Sequence, residues 1–190
     1  AQVADFAAEL DTDDAVAMLE DLDAAFAATT AQAVILTGEG KVFSAGADLD
    51  EARAGLATDP VWDRLSTRIA GLPCLTIAAL NGTLAGGAMG MVLACDVRLA
   101  VPAAKFFYPV MKLGYLPQPA DPARLVALVG PARAKLILMA GLKVEAPEAL
   151  SWGLVDRLVE PDQLLAEAEA LTADVRAAKA GHAAAIKAMI

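Results

Sequence analysis

Two apolar, strand-like runs, Ala33 to Thr37 and Cys74 to Leu80, each lead through small residues into a helix-like segment, and this pattern constrains the chain more than any other. The first passes Gly38 and Gly40 to reach Val42-Phe43-Ser44-Ala45-Gly46-Ala47-Asp48-Leu49. The second runs through Asn81-Gly82-Thr83-Leu84-Ala85-Gly86-Gly87-Ala88. A helix start offers unpaired N–H donors and the positive end of a dipole, and residues with little or no side chain leave those donors open to close approach. Two such turns suit an oxyanion, because two donors can share one developing negative charge.

Leu72 to Cys95 carries no charge and is long enough to cross a bilayer. Pro73, Asn81-Gly82, Gly86-Gly87 and Gly90 break the run, so a strand, a turn and a buried helix (Gly86 to Ala94) describe it better. A strand from Asp96 to Ala100 follows. Upstream, Val3 to Leu10 reads as a weak strand. Thr12 caps an expected helix from Asp13 to Ala28, with Met18, Leu19, Leu22 and Phe26 on its apolar face. Ala45 to Ala54 and Val61 to Ala70 are expected helices, the second ending at Gly71. Beyond Pro122 the pattern turns helical: Pro122 to Val129, Pro131 to Ala140, Pro147 to Trp152, a strand Leu154 to Val159, then a long helix from Pro161. Such strand, strand, helix units depart from the one-for-one alternation of a doubly wound sheet. The expectation is one α/β domain over residues 1–190, its C-terminal helical part starting near 122.

At 190 residues the chain fits one domain, and by size such a domain buries about 70% of its unfolded surface. Apolar residues make up 57% but aromatics only 5%, so Ala, Val, Leu and Ile must fill the core, and an apolar subunit interface is favoured. A net charge of −9 argues against nucleic-acid and anionic-membrane partners, which need a basic footprint. Lys105 and Lys112 are candidate phosphate contacts, although solvated surface lysines are the default. Cys74 and Cys95 lie in apolar runs and read as reduced core residues. With one histidine, His182, and no paired cysteines, the chain has no metal-ligand spacing. Ala1-Gln2-Val3 shows no charged, apolar leader, so a cytoplasmic location is expected.

The two turn segments resemble those of the crotonase superfamily, the enoyl-CoA hydratase and isomerase relatives. Further matches in the same order are Cys95-Asp96, Leu113-Gly114-Tyr115-Leu116-Pro117, Val129-Gly130-Pro131-Ala132-Arg133-Ala134, and Ala146 to Val155, which reads A-x-E-A-x-x-x-G-L-V. The resemblance implies a crotonase-like ββα spiral, related to the Clp-type protease fold, followed by helices and assembled as a homotrimer or hexamer. It implies an acyl-CoA thioester substrate, with coenzyme A part of the substrate and no separate cofactor. Carried over, the N–H groups of Ala47 and Gly87 form the oxyanion hole, and Ala45, Asp48, Leu49, Gly86, Gly90, Pro109 and Val110 contact substrate. Asp48 reads equally well as a helix-start residue.

The departures carry as much information. The family's hydratases hold one glutamate in the helix after the second turn and another after a later proline, where this chain has Gly90 and Val110. Hydration needs two positioned carboxyl groups, so that chemistry by the usual pair is excluded. A rigid stretch, Pro117-Gln118-Pro119-Ala120-Asp121-Pro122, replaces the family's glycine-rich turn. Asp121 is the only carboxylate in it and is the candidate replacement acid or base, provided that burial raises its pKa. It reads also as a helix N-cap ahead of Pro122. Tyr115 and Tyr108 are candidate hydrogen-bond donors to substrate or core aromatics. Ser44 beside Gly46 lacks a histidine in a matching motif, which argues against a Ser-His hydrolase. Leu10 to Val16 replaces the family's N-R-P stretch, and family members continue past the residue corresponding to Ile190 in a tail that helps close the acyl pocket. Two readings stay open: an isomerase-type or decarboxylase-type enzyme relying on enolate stabilisation, and a non-catalytic acyl-CoA binding protein.

Overall fold

Ala33 to Thr37 is apolar without alternation, as a strand covered on both faces must be. The computed structural model describes residues 2–6, 31–46 and 49–190. The helix expected from Asp13 to Ala28, its Thr12 cap, and Ala47 and Asp48 lie outside the described residues. β1 (Gln2–Phe6), β2 (Ala33–Gly38), β3 (Leu75–Leu80), β5 (Val97–Ala100) and β8 (Arg157–Leu158) pair in parallel, in the order β1-β2-β3-β5-β8. A smaller sheet holds β4 (Leu84–Ala85), β6 (Lys105–Phe107) and β7 (Val144–Glu145), with β4 parallel and β7 antiparallel to β6.

The chain visits both sheets before each helical return. After β2, Ser44 forms a parallel bridge to Leu84 beside the smaller sheet, and the helices α1 (Leu49–Ala54) and α2 (Val61–Ala70) lead back to β3. β3 continues into β4, a 3-10 turn (Gly86–Ala88) and α3 (Met89–Ala94), which returns to β5. β5 is followed by β6, α4 (Val110–Leu113) and α5 (Asp121–Leu138), and α6 (Ala146–Trp152) follows β7. This is the ββα spiral that the resemblance implied.

In α2, Val61, Trp62, Leu65, Ser66 and Ile69 are buried, the spacing of one helical face, and that face packs on α3. Asp59 opens the helix by accepting the Val61 N–H at 2.7 Å. Phe43, Leu65, Ile69, Ile77, Leu80, Met89 and Phe106 are fully buried, each contributing roughly 1.5–3 kcal/mol of transfer free energy. Cys74 and Cys95 are free, buried thiols, and burial pushes Cys95 up to about 12, which makes it unreactive at neutral pH.

Several boundaries differ from the sequence expectation. Of the helix expected from Ala45, Leu49–Ala54 is helical while Ala45 and Gly46 are not, and the helix expected from Gly86 opens with a 3-10 turn. The two helices expected around Gly130-Pro131 are joined across a kink at Gly130, whose φ is 79°. The last strand contracts to Arg157–Leu158, because only Leu99 and Ala100 offer it partners. The long helix expected from Pro161 is three short ones, α7 (Leu164–Leu171), α8 (Ala173–Ala177) and α9 (His182–Lys187). Buried Thr172 turns its hydroxyl onto the Glu169 carbonyl at 2.7 Å, Ala178 is extended, and Gly181 is left-handed. Among the described residues no helix is long and apolar enough to cross a membrane.

Candidate functional site

Asn81 ties the two turns together. Its Oδ1 accepts the Gly38 N–H at 3.1 Å, and its Nδ2 donates to the carbonyls of Gly40 and Val42 at 3.1 and 3.2 Å. Main chain continues the lacing: Phe43 and Ser44 N–H groups donate to Thr83 O at 3.0 Å, and Ala85 N–H donates to Ser44 O at 3.0 Å. The segments then meet at two glycines with left-handed backbones, Gly46 at φ 97° and Gly86 at φ 66°. A Cβ on Gly86 would lie 3.3 Å from Gly46 Cα, so glycine at 86 meets both a conformational and a steric demand. Ser44 is buried, and its Oγ accepts the Gly46 N–H at 3.2 Å, a role that fits a turn anchor better than a nucleophile.

Gly87 is the second residue of the 3-10 turn, where an N–H has no partner within the helix. A Cβ there would come 3.1 Å from two ring carbons of Trp62. The indole is itself fixed, donating Nε1–H to Leu56 O at 3.0 Å. Ala47 and Asp48, expected as the second donor and a substrate contact, are outside the described residues, and of Leu49 only the backbone is described.

A cavity of about 820 Å³ opens beside these turns. Four expected substrate contacts, Ala45, Gly86, Pro109 and Val110, are in its wall, and so is Gly87. Trp62, Leu113 and Leu116 add apolar surface, while Tyr108, Tyr115, Gln118 and Lys112 bring polar atoms. Arg53 and Asp50 also line it as an exposed pair at 2.7 Å. Lys105 instead pairs with Glu145 at 3.3 Å and does not line the cavity, and His182 is exposed on α9. Tyr115 donates its hydroxyl to Ala52 O at 3.3 Å.

Gly90 and Asp121 are not in the wall; they face each other. A Cβ on Gly90 would lie 2.6 and 3.0 Å from the two carboxylate oxygens of Asp121. The N-cap reading of Asp121 is corrected: the cap position is Ala120, Asp121 is the first helical residue, and no side chain caps the helix. The carboxylate turns inward, 1% exposed, because Gly90 leaves room for it and Tyr108 supplies a donor. Tyr108 Oη donates to Asp121 Oδ2 at 2.9 Å and accepts the Gln118 N–H at 3.3 Å. Asp121 Oδ1 is buried and has no hydrogen-bond partner among the described residues. Burial raises the Asp121 pKa to about 6, opposed in part by the Tyr108 hydrogen bond and by Arg124. Burial and the neighbouring carboxylate push Tyr108 well above the usual phenol range.

Trp62 and Gln118 are among the wall residues that sequence reasoning missed. Gln118 was visible only as part of a proline-rich stretch, yet its N–H holds Tyr108 and its Nε2 donates to Ala57 O at 3.2 Å. Nothing in the spacing announces Trp62 over Gly87, a contact between separate segments. The available signals were a rare aromatic and a glycine whose missing side chain makes room for it.

Residues 11–190 match the model of a family described as enoyl-CoA hydratase/isomerase. A Thermus thermophilus protein, provisionally named an enoyl-CoA hydratase, is 38% identical over 169 residues, 85% of this chain and 66% of its own length. The short-chain-enoyl-CoA hydratase of Clostridium acetobutylicum is 38% identical over 143 residues, 70% of this chain and 53% of its own. The chain therefore spans between half and two thirds of these curated relatives. Among solved structures, an enoyl-CoA hydratase/carnithine racemase from Magnetospirillum magneticum superposes with a TM-score of 0.86 at 27% identity, covering 98% of this chain and 76% of that one.

Proposed function

The chain belongs to the enoyl-CoA hydratase/isomerase family, and we propose that its cavity binds an acyl-CoA thioester whose carbonyl oxygen is held by the main-chain N–H groups of Gly87 and Ala47. The observation that carries this reading is the meeting of the two glycine turns, Gly46 against Gly86, at the wall of a largely apolar cavity. Donors fixed in this way cost no reorganisation when charge develops on the oxygen, so they favour an enolate over the neutral ester. About 820 Å³ accommodates an acyl chain with part of its pantetheine arm.

With Gly90 and Val110 at the positions of the family's two glutamates, neither can activate water or protonate carbon. Isomerisation or decarboxylation, in which enolate stabilisation supplies more of the barrier lowering, is favoured over hydration. The phenols of Tyr108 and Tyr115 in the wall favour an enzyme. The placing of Asp121 behind that wall favours the second reading, a binding protein that retains the pocket without the chemistry.

Calorimetric titration with a saturated acyl-CoA and with its thioether analogue, which lacks the carbonyl, tests the shared premise. The ester is expected to bind more tightly by about 1–2 kcal/mol, the worth of one or two hydrogen bonds. Equal affinities, or no binding of either, would overturn it.

A further inference from the structure

Tyr108 and Asp121 are arranged for more than packing. A carboxylate kept buried for structural reasons is expected to be paired with a cation or fully hydrogen-bonded. Asp121 is neither: only Oδ2 has a partner, the Tyr108 hydroxyl, and Oδ1 has none among the described residues. The charged groups around it are committed elsewhere. Arg124, on the same helix, gives Nη1 to Ser66 Oγ at 2.8 Å, and Asp63, from α2, accepts the Ala120 N–H at 3.2 Å. The facing helix α3 presents Gly90 and carries no charge over Met89–Ala94. Tyr108 connects this carboxylate to the cavity, since it lines the wall while its hydroxyl is held from both sides, by Asp121 and by the Gln118 N–H. A phenol oxygen so placed keeps one lone pair unused.

We infer that Tyr108 and Asp121 form a two-residue proton relay serving the carbon next to the thioester, with Tyr108 meeting the substrate and Asp121, seated in the space that Gly90 leaves, holding the charge. The inference rests on the thioester reading above. In the forward step the C–H bond breaks and its electron pair enters the enolate, whose oxygen lies at the Gly87 and Ala47 donors. The proton passes to the free lone pair of Tyr108 as the phenol's own proton passes to Asp121 Oδ2. Tyr108 stays neutral throughout, and the negative charge moves from Asp121 to the enolate. Returning the proton through the same pair, to the same carbon or to the γ-carbon of an enoyl chain, gives exchange or isomerisation. Tyr108 is the catalytic residue here and Asp121 its positioning and charge-holding partner. The raised Asp121 pKa, near neutrality, suits a group that must both take and return a proton.

The test is deuterium uptake from heavy water at the carbon next to the thioester of a saturated acyl-CoA, followed by NMR at pH values on both sides of 6. Uptake is expected to rise as the pH passes through about 6 and then to level off. Tyr108→Phe and Asp121→Asn are each expected to lower that plateau by about 10²- to 10⁴-fold. The double variant should be no worse than either single one, as for two parts of one device. Asp121→Asn should also abolish the step near pH 6. Uptake within a few fold of the parent in both variants, or a step that survives Asp121→Asn, would overturn the relay. Acyl-CoA affinity measured on the same preparations separates the two levels: binding without uptake in the parent protein sinks the relay alone, while absent binding sinks the thioester reading with it. Tyr108→Phe loses only a hydroxyl and keeps the test decisive should Asp121→Asn fail to fold.

Discussion

Around Gly46 and Gly86 the site is made of main chain, whereas around Asp121 it is made of side chains arriving from separate segments: Tyr108 after β6, Asp121 at the start of α5, and the gap at Gly90 in α3. The first half requires only that side chains be absent where two turns touch. The second requires that particular atoms meet, and it does not matter which segment supplies them. Position 90 can therefore be a glycine while the space beside it is filled by a carboxylate from position 121. Main-chain chemistry is tied to its place in the sequence, and side-chain chemistry can migrate.

Substitutions that strike one half and spare the other probe this contrast. The largest effect is expected from Trp62→Ala, because Trp62 is buried, packs on Gly87 and fills the cavity wall. Chemical denaturation should show a loss of about 3–5 kcal/mol. A loss below 1 kcal/mol would mean that the ring does not support the Gly87 turn.

Next comes pH. The folded chain holds the Asp121 proton more tightly than the unfolded chain does, with a pKa near 6 against 3.8. This group's stabilising effect is thus fully present below about pH 4 and is lost as the pH rises through 6, a change of about 3 kcal/mol for a shift of that size. Denaturation curves of the parent and of Asp121→Asn at several pH values should converge in acid and diverge toward neutrality, where the Asn variant is the more stable. Parallel curves would place the carboxylate in a far wetter setting than the structure does.

The facing of Gly90 and Asp121 makes a third prediction. Gly90→Ala puts a methyl against the carboxylate, and overpacking of this kind costs roughly 1–3 kcal/mol. Combined with Asp121→Ala, which removes the obstacle, most of that penalty should vanish, leaving a coupling of about 1–3 kcal/mol in the cycle. Additive effects would show that the two positions do not meet. The smallest expected effect is on the main-chain side. Gly86→Ala imposes a left-handed backbone on a residue with a Cβ, costing about 1–2 kcal/mol, and it presses Gly46 and Gly86 apart, so acyl-CoA affinity should fall with stability while the Asp121 pH step is unchanged.

The same contrast decides what could be read from the sequence. Strand runs such as Ala33 to Thr37, the helix Val61 to Ala70 and both glycine turns were legible, because apolar spacing and glycine placement are local signals. The cavity-wall positions Ala45, Gly86, Pro109 and Val110 were named from the family resemblance. Asp121 was legible as an isolated carboxylate in a proline-rich stretch, but its partners were not. Tyr108 and Gly90 meet it only through the tertiary packing of α3 and α5 with the segment after β6, whereas Gln118 is a local neighbour whose carbonyl accepts the Asp121 N–H at 3.0 Å. The C-terminal segment read as one long helix because its alanine-rich composition favours helix throughout, and the breaks at Thr172, Ala178 and Gly181 depend on a buried hydroxyl and backbone geometry.

The proposal that a thioester carbonyl is held by main-chain donors is addressed most directly by isotope-edited infrared spectroscopy of an acyl-CoA labelled with carbon-13 at that carbonyl. On binding, the labelled stretch is expected to fall below its frequency in water, and the fall should shrink in Gly86→Ala but persist in Asp121→Asn. A bound carbonyl whose stretch stays at or above the aqueous value would contradict the oxyanion site.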